Sequence, residues 1–276
     1  MDFGRTADDY RRYRAGFPPA FFDALQARAW IGKGLRALDL GTGTGTVARG
    51  LAERGLAVVA TDPAVALLEQ ARELDREAGV TIEFDPLASQ RIESTTGFNA
   101  ASEGRVEYRT GRAEAIDAPD GSFDVVTAGQ CWHWFDRPQA AAEIARVLVP
   151  RGRLIIAHFD WLPLQGSVVA ATERLILQFN PAWTMAGGTG IYPPWLRDLA
   201  DGGFDEIETF SFDVVQAYTP KAWRGRIRAS AGVKASLDEA SIERFDDALG
   251  QVLESHFPDD PLLIPHRVWA VSGLRR

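Results

Sequence analysis

The stretch ALDLGTGTGTVARGL, Ala37 to Leu51, constrains this chain more than any other feature. It sets a short apolar run, three alternating glycines and a helix-forming segment in direct succession. An apolar run that ends in glycines reads as a buried strand. The glycines then let backbone approach a ligand closely, and the following helix presents unpaired N–H groups. In an open parallel sheet such a loop lies at the carboxyl edge, where strand order reverses and ligands bind. Two registers fit. Counted from Gly43, the stretch is G-x-G-x-x-A through Gly45 and Ala48, the dinucleotide fingerprint. Counted from Asp39, it is D-x-G-x-G-x-G through Gly41, Gly43 and Gly45, which suggests another adenosine-bearing cofactor.

Around this loop, strand and helix patterns alternate. LRALDL, LAVVAT, RVEYRTG, FDVVTAG and RLIIAHF read as buried strands, and TVARGLAERG and RPQAAAEIARVL as helices. Asp62-Pro63 reads as an N-cap with proline at the first helical position, opening a helix to about Arg76. Apolar strands separated by helices of this length predict an α/β, doubly wound, Rossmann-like sheet with right-handed crossovers. Residues 161–204 and 219–257 read as largely helical, with strands near 206–216 and 266–272. The connection over 79–104 is longer than ordinary and rich in Ser, Thr, Gly and Asn. Without a linker or repeat, the expectation is one domain over 1–276: an N-terminal lid segment (1–34), a cofactor-binding core (35–160), and helical insertions with the last two strands (161–276).

Composition narrows the function classes. A hydrophobic fraction of 46% with 25% charged residues predicts a packed core. A net charge of −8 argues against a nucleic-acid partner, which calls for a basic footprint. The single cysteine, Cys131, excludes an intramolecular disulfide. Neither a leader-like start nor a membrane-length apolar run is found, so a cytoplasmic protein is expected. The four histidines are scattered without zinc-site spacing, and no metal is expected.

Asp39 separates the two registers. A carboxylate inside an apolar strand is costly unless a donor or cation meets it. A pyrophosphate loop has no need of an acid there. S-adenosylmethionine, with an α-amino group and a sulfonium, does. The alternative for Asp39 is a structural carboxylate bonding loop N–H groups. Asp62 stays open, since it suits ribose hydroxyls and helix capping equally.

On these residues the chain resembles the class I S-adenosylmethionine-dependent methyltransferases. LDLGTGTG is similar to the family's first motif, VVATDPA to its second-strand acid, GRAEAIDAPDGSFDVV to its adenine segment, and LVPRGRLIIA to the turn before its fifth strand. The resemblance covers about 36–160 and implies a seven-stranded sheet ending in an antiparallel hairpin. It implies S-adenosyl-L-methionine as cofactor and S-adenosyl-L-homocysteine as product. Carried over by position, Asp39, Gly41, Thr42, Gly43 and Gly45 hold the methionine end, with Gly129 and Gln130 beside it. Asp62 takes the ribose, and Ala113 and Glu114 the adenine. ADDYRRYRAGFPPAF and CWHWFD resemble the trans-aconitate methyltransferase-like branch. That resemblance implies that Tyr10 and Arg14 fold over the cofactor, Arg14 toward a carboxylate. A disordered or surface-packed N-terminus is the alternative.

The expected activity is methylation of a small molecule, at oxygen and including a carboxylate as acceptor. His133, after the fourth core strand, is the candidate base, since an unperturbed imidazole titrates at ~6.5; the alternative is a histidine that orients the flanking tryptophans or bonds a backbone carbonyl. His158 is the second candidate. Trp132 and Trp134 are candidate pocket walls, although Trp134 is better read as packed against helices. Cys131 reads as a small buried residue. His256 and His266 fall in the helical tail without a functional signal, and 181–195 reads equally as a segment that lines or covers the acceptor pocket and as a packed surface loop. Two rivals stand beside this reading. One is a nicotinamide-dependent oxidoreductase, which leaves Asp39 unexplained. The other is a non-catalytic protein that binds S-adenosylmethionine. Oligomeric state is not legible.

Overall fold

The computed structural model of the protein describes residues 16–83, 104–230, 232–233 and 236–276. Tyr10, Arg14 and most of the 79–104 connection lie outside them. The described elements are α1 (Pro19–Ala27), β1 (Arg36–Leu40), α2 (Thr46–Ala52), β2 (Ala57–Asp62), α3 (Val65–Ala78), β3 (Thr81–Glu83), β4 (Arg105–Thr110), β5 (Phe123–Gly129), α4 (Arg137–Val147), β6 (Leu148–Trp161), α5 (Val168–Phe179), α6 (Pro194–Asp201), β7 (Phe204–Tyr218), α7 (Pro220–Arg228), α8 (Glu239–His256) and β8 (Leu262–Arg275).

One sheet runs in the order β3-β4-β2-β1-β5-β6-β8-β7. The pairs β3–β4, β4–β2, β2–β1, β1–β5 and β5–β6 are all parallel. The seven expected strands are present, and the three-residue β3 extends the edge beyond β4. From β1 the chain first builds outward through β2 to β4, then returns to β1's other side with β5. The carboxyl ends of β1 and β5 are therefore the point at which strand order reverses.

Local chemistry sets the element ends. Asp136, Ser167, Thr219 and Asp238 each accept a backbone N–H three residues on, which caps α4, α5, α7 and α8. Two boundaries differ from the sequence reading. Asp62 ends β2 instead of capping α3 directly, and α3 begins at Val65. Strand β6 begins at Leu148, five residues before Arg153. Its PRG segment is carried as an irregularity in the β5 pairing, with Arg151 at φ +63°.

The chain divides into two compact units. Gly16–His158, Tyr192–Phe210 and Ala270–Arg276 form one. Its core gathers the apolar faces of β1, β2, β4 and β5, with Leu38, Leu40, Val58, Val106 and Val126 buried. The Arg36 guanidinium forks onto Asp124 at the start of β5, with contacts of 3.1 and 3.0 Å.

Phe159–Ile191 and Ser211–Trp269 form the other unit. Val169, Ile176, Trp223, Ile227, Phe245 and Leu249 make its core. Several polar groups inside it are matched. Trp223 Nε1 donates to Thr172 Oγ1 at 3.1 Å. The buried Glu173 accepts from Trp161 Nε1 and from the Gly187 amide, each at 2.8 Å. His266 lies in β8 instead of the helical tail, with Nδ1 3.0 Å from the Ile264 carbonyl. Burial pushes its pKa down to about 4. It is a neutral core histidine.

Trp223 is fully buried, so Trp223→Ala should cost about 3–5 kcal/mol through the cavity it leaves. Trp223→Phe should cost about 1–3 kcal/mol, because most of the volume stays while the donor to Thr172 is lost. Equilibrium urea unfolding measures both.

Candidate functional site

At the reversal point, β1 and β5 place Asp39 and Thr127 opposite each other in register. Thr127 Oγ1 donates to Asp39 Oδ1 at 2.7 Å. Asp39 is only 1% exposed, yet its Oδ2 has no hydrogen-bond partner among the described residues, and neither has Thr42 Oγ1 in the loop just beyond. Burial pushes the Asp39 carboxyl up to about 6. The Thr127 hydroxyl opposes the rise, as do the Thr42 hydroxyl and Ala48 amide from short of bonding geometry, while the charge of Asp62 adds to it. A carboxylate oxygen buried this way is costly until something supplies a donor or a positive charge.

The glycine loop is held from several sides. Gly41, Gly43 and Gly45 all adopt left-handed φ, at +61°, +56° and +78°. The Thr42 amide donates to the Thr61 carbonyl at 3.0 Å, and the Gly43 amide to Asp62 Oδ2 at 2.9 Å. Asp62 Oδ1 accepts the Ala64 amide at 2.8 Å. Asp62 is thus a buried tie between the loop and the start of α3. Burial raises its pKa and the two amides oppose the rise. Each oxygen keeps a further lone pair for a ligand hydroxyl.

Beneath the loop lies a polar network. A side chain on Gly45 would come 2.3 Å from Tyr108 Oη, so glycine is required there by contact as well as by φ. Tyr108 Oη donates to Asp75 Oδ2 at 2.7 Å, and Arg49 Nε donates to Asp75 Oδ1 at 2.6 Å. Arg49 Nη2 also reaches the Thr44 carbonyl at 3.2 Å. Burial, then the charge of Asp75, pushes the Tyr108 phenol up, so it stays a donor. Sequence reasoning missed Thr127, Tyr108, Asp75 and Arg49. A usable signal existed for Asp75: it shares the buried α3 stripe with Leu67, Leu68 and Ala71, an acid on an apolar face.

Ala113 is buried. Glu114 faces the start of α4: Oε1 accepts the Asp136 amide at 3.0 Å, and its carbonyl accepts Gln139 Nε2 at 3.2 Å. Arg112 pairs with it at 3.6 Å.

Past β5 the chain turns sharply. Gln130 takes φ +59°, uncommon outside glycine, and its amide donates to the Ala157 carbonyl at 2.8 Å. Cys131 is buried as expected, and its thiol contacts the Leu40 carbonyl at 3.1 Å. A side chain on Gly41 would come 2.8 Å from Cys131 Cβ, so this turn packs directly on the glycine loop. Trp132 is fully buried, with Nε1 3.0 Å from Asp198, which Arg137 also contacts at 3.1 Å. The expectation for Trp134 is overturned. Instead of packing against helices it is 44% exposed, its ring 4.5 Å from that of His133. The packed tryptophan is Trp132, because Asp198 gives its indole N–H an acceptor inside.

The two candidate histidines come together, with ring centroids 5.3 Å apart. His158 is buried against Tyr192 (4.4 Å) and Trp195 (4.9 Å), which stack on each other at 4.1 Å. Among the described residues, no group of three or more His, Cys, Asp or Glu could hold a metal ion, and no helix is long and apolar enough to cross a membrane.

Comparison with known proteins finds methyltransferases. Residues 38–156 match the methyltransferase domain family. The chain is 35% identical over 154 residues to an uncharacterized methyltransferase of Mycobacterium tuberculosis, which covers 56% of this chain and 50% of that one. It is 27% identical over 168 residues to the 27-O-demethylrifamycin SV methyltransferase of Amycolatopsis mediterranei, covering 60% and 58%. The chain thus spans about half the length of the mycobacterial relative. In fold it is similar to phosphoethanolamine N-methyltransferase 2 of Haemonchus contortus in complex with S-adenosyl-L-methionine. The TM-score is 0.53 at 18% identity, covering 100% of this chain and 60% of that one. The matched segment runs from β1 into β6.

Two outcomes follow from the geometry. Asp39 has a folded pKa of about 6 against an ordinary 3.8, so between those values the folded state binds more protons than the unfolded state. Stability of the ligand-free protein should fall as pH rises through that window, by on the order of 2–3 kcal/mol. Urea midpoints across the window should record the decline, and Asp39→Asn should flatten it. Gly45→Ala should cost about 1–3 kcal/mol by overpacking. Tyr108→Phe in the same chain should recover part of that loss by removing the nearest atom.

Proposed function

We propose that the chain is an S-adenosylmethionine-dependent methyltransferase that methylates a small molecule at oxygen. The observation that carries this reading is Asp39, a buried carboxylate at the head of a left-handed glycine loop, with one oxygen that has no partner among the described residues. Bound there, the cofactor supplies a methyl group activated on a sulfonium, along with an α-amino group. Asp39 Oδ2 and Thr42 Oγ1 fit that amino-acid end, one as counter-charge and both as hydrogen-bond partners. Gly41, Gly43, Gly45, Gly129 and Gln130 give it close backbone approach. The spare lone pairs of Asp62 accept the ribose hydroxyls, and Ala113 and Glu114 flank the adenine.

These residues bind and orient, and such positioning is worth ~7–11 kcal/mol. His133, half-buried on the turn packed against Gly41, takes the proton of a hydroxyl acceptor, which leaves its electron pair on the oxygen. The name of the Amycolatopsis relative supports an oxygen acceptor, and the net charge of −8 speaks against a nucleic-acid one. The chain's start and CWHWFD support the trans-aconitate-like branch, in which Tyr10 and Arg14 cover the cofactor. Arg14 carries a second form of the reading, a carboxylate acceptor. A nicotinamide cofactor explains the glycines and Asp62 but gives Asp39 Oδ2 nothing.

Thermal-shift and calorimetric titrations with S-adenosylmethionine, S-adenosylhomocysteine, NADH and NADPH test this. Stabilisation by the nicotinamides alone would overturn it. Near pH 6, S-adenosylhomocysteine binding should release a proton from Asp39, read as a dependence of the measured heat on buffer ionisation enthalpy. Asp39→Ala should weaken binding by at least about tenfold and abolish that release. His133→Ala should leave the affinity unchanged.

A further inference from the structure

We infer that the methyl acceptor is a flat aromatic alcohol, received by the rings gathered at the carboxyl ends of β5 and β6. The inference rests on the methyltransferase reading and narrows its acceptor.

Four rings form a connected series from inside to outside: Trp195 and His158 at 4.9 Å, His158 and His133 at 5.3 Å, His133 and Trp134 at 4.5 Å. Tyr192 closes the inner end, stacked on Trp195 with only 10° between the planes and 4.4 Å from His158. Burial falls along the series, from Trp195 and His158 in the interior to Trp134 at the surface. The outer rings, the half-buried His133 and the exposed Trp134, keep surface that another ring can meet, and such contacts add to simple area burial.

The backbone is arranged to bring them here. The left-handed Gln130, bonded to Ala157, ties the start of the 131–134 turn to β6 one residue before His158. Trp132 anchors that turn by its bond to Asp198 on α6, the helix that also carries Trp195. An exposed tryptophan beside the half-buried candidate base is therefore held in place rather than stranded. Charge points the same way. Arg137, the cation next along the chain, is engaged by Asp198, while Asp39 and Asp62 give the loop side carboxylates. An anionic acceptor gains no counter-charge from these groups, and a neutral ring with a hydroxyl loses none.

The test uses the whole protein saturated with S-adenosylhomocysteine, with 2-naphthol, its saturated analogue decahydro-2-naphthol, and cyclohexanecarboxylate as probes. Binding is read by calorimetry and tryptophan fluorescence. The expected result is that 2-naphthol binds at least about tenfold more tightly than either other probe. Trp134→Ala should erase most of that preference and Trp134→Phe restore it, with S-adenosylhomocysteine affinity unchanged in both. Equal affinities, tighter binding of the carboxylate, or a preference indifferent to Trp134→Ala would overturn the inference while leaving the cofactor reading standing. Failure of S-adenosylhomocysteine to bind would overturn both.

Discussion

A carboxylate is buried where the sheet reverses its strand order, and much of the site is arranged around it. Asp39 is held by Thr127 from the neighbouring strand on one oxygen and, among the described residues, left without a partner on the other. Its raised pKa measures how poorly the interior solvates its charge. An isolated fold would be more stable with an apolar residue there. The arrangement makes sense as a site that gives up stability when empty and recovers it when a cationic group arrives.

Such a carboxylate is useful only if the loop beyond it keeps its shape. Two structural acids do that work. Asp62 spends one bond on the loop and one on the start of α3, while Asp75 collects the Tyr108 hydroxyl and the Arg49 guanidinium under Gly45. Three left-handed residues in five would otherwise be a mobile segment. Tied to β2, α3 and β4, they form a rigid cradle, and rigidity is what lets bound groups be aligned without further ordering cost. The ring cluster is arranged differently. Its rings come from the 132–134 turn, from β6 and from the segment entering α6, joined by single side-chain bonds such as Trp132 to Asp198.

Legibility in the sequence followed the range of the interactions. FDVVTAG is strand β5 residue for residue, because a run of apolar residues bounded by turn formers is a local signal. The glycine loop and Asp39 were legible for the same reason. Boundaries set by competition between neighbours were less so. Asp62-Pro63 has the chemistry of a helix start, yet pairing with β4 keeps Asp62 in the strand and delays the helix to Val65. Trp134 shows the limit from the other side. Two tryptophans in WHW look alike in sequence, and only the acceptor on α6 decides which one is buried.

The sequence by itself determined the alternation of strands and helices, the glycine loop, and the buried acid ahead of it. These depend on residues within a few positions of each other, where propensity, periodicity and burial cost act directly. The tertiary structure decided which distant groups complete them: Thr127 for Asp39, Tyr108 and Asp75 for Gly45, and His158, Tyr192 and Trp195 for His133. Those partners are separated by tens of residues and brought together by strand order and the direction of a single turn. Neither leaves a local imprint, because the energy that fixes them is shared across the sheet instead of residing in any one segment.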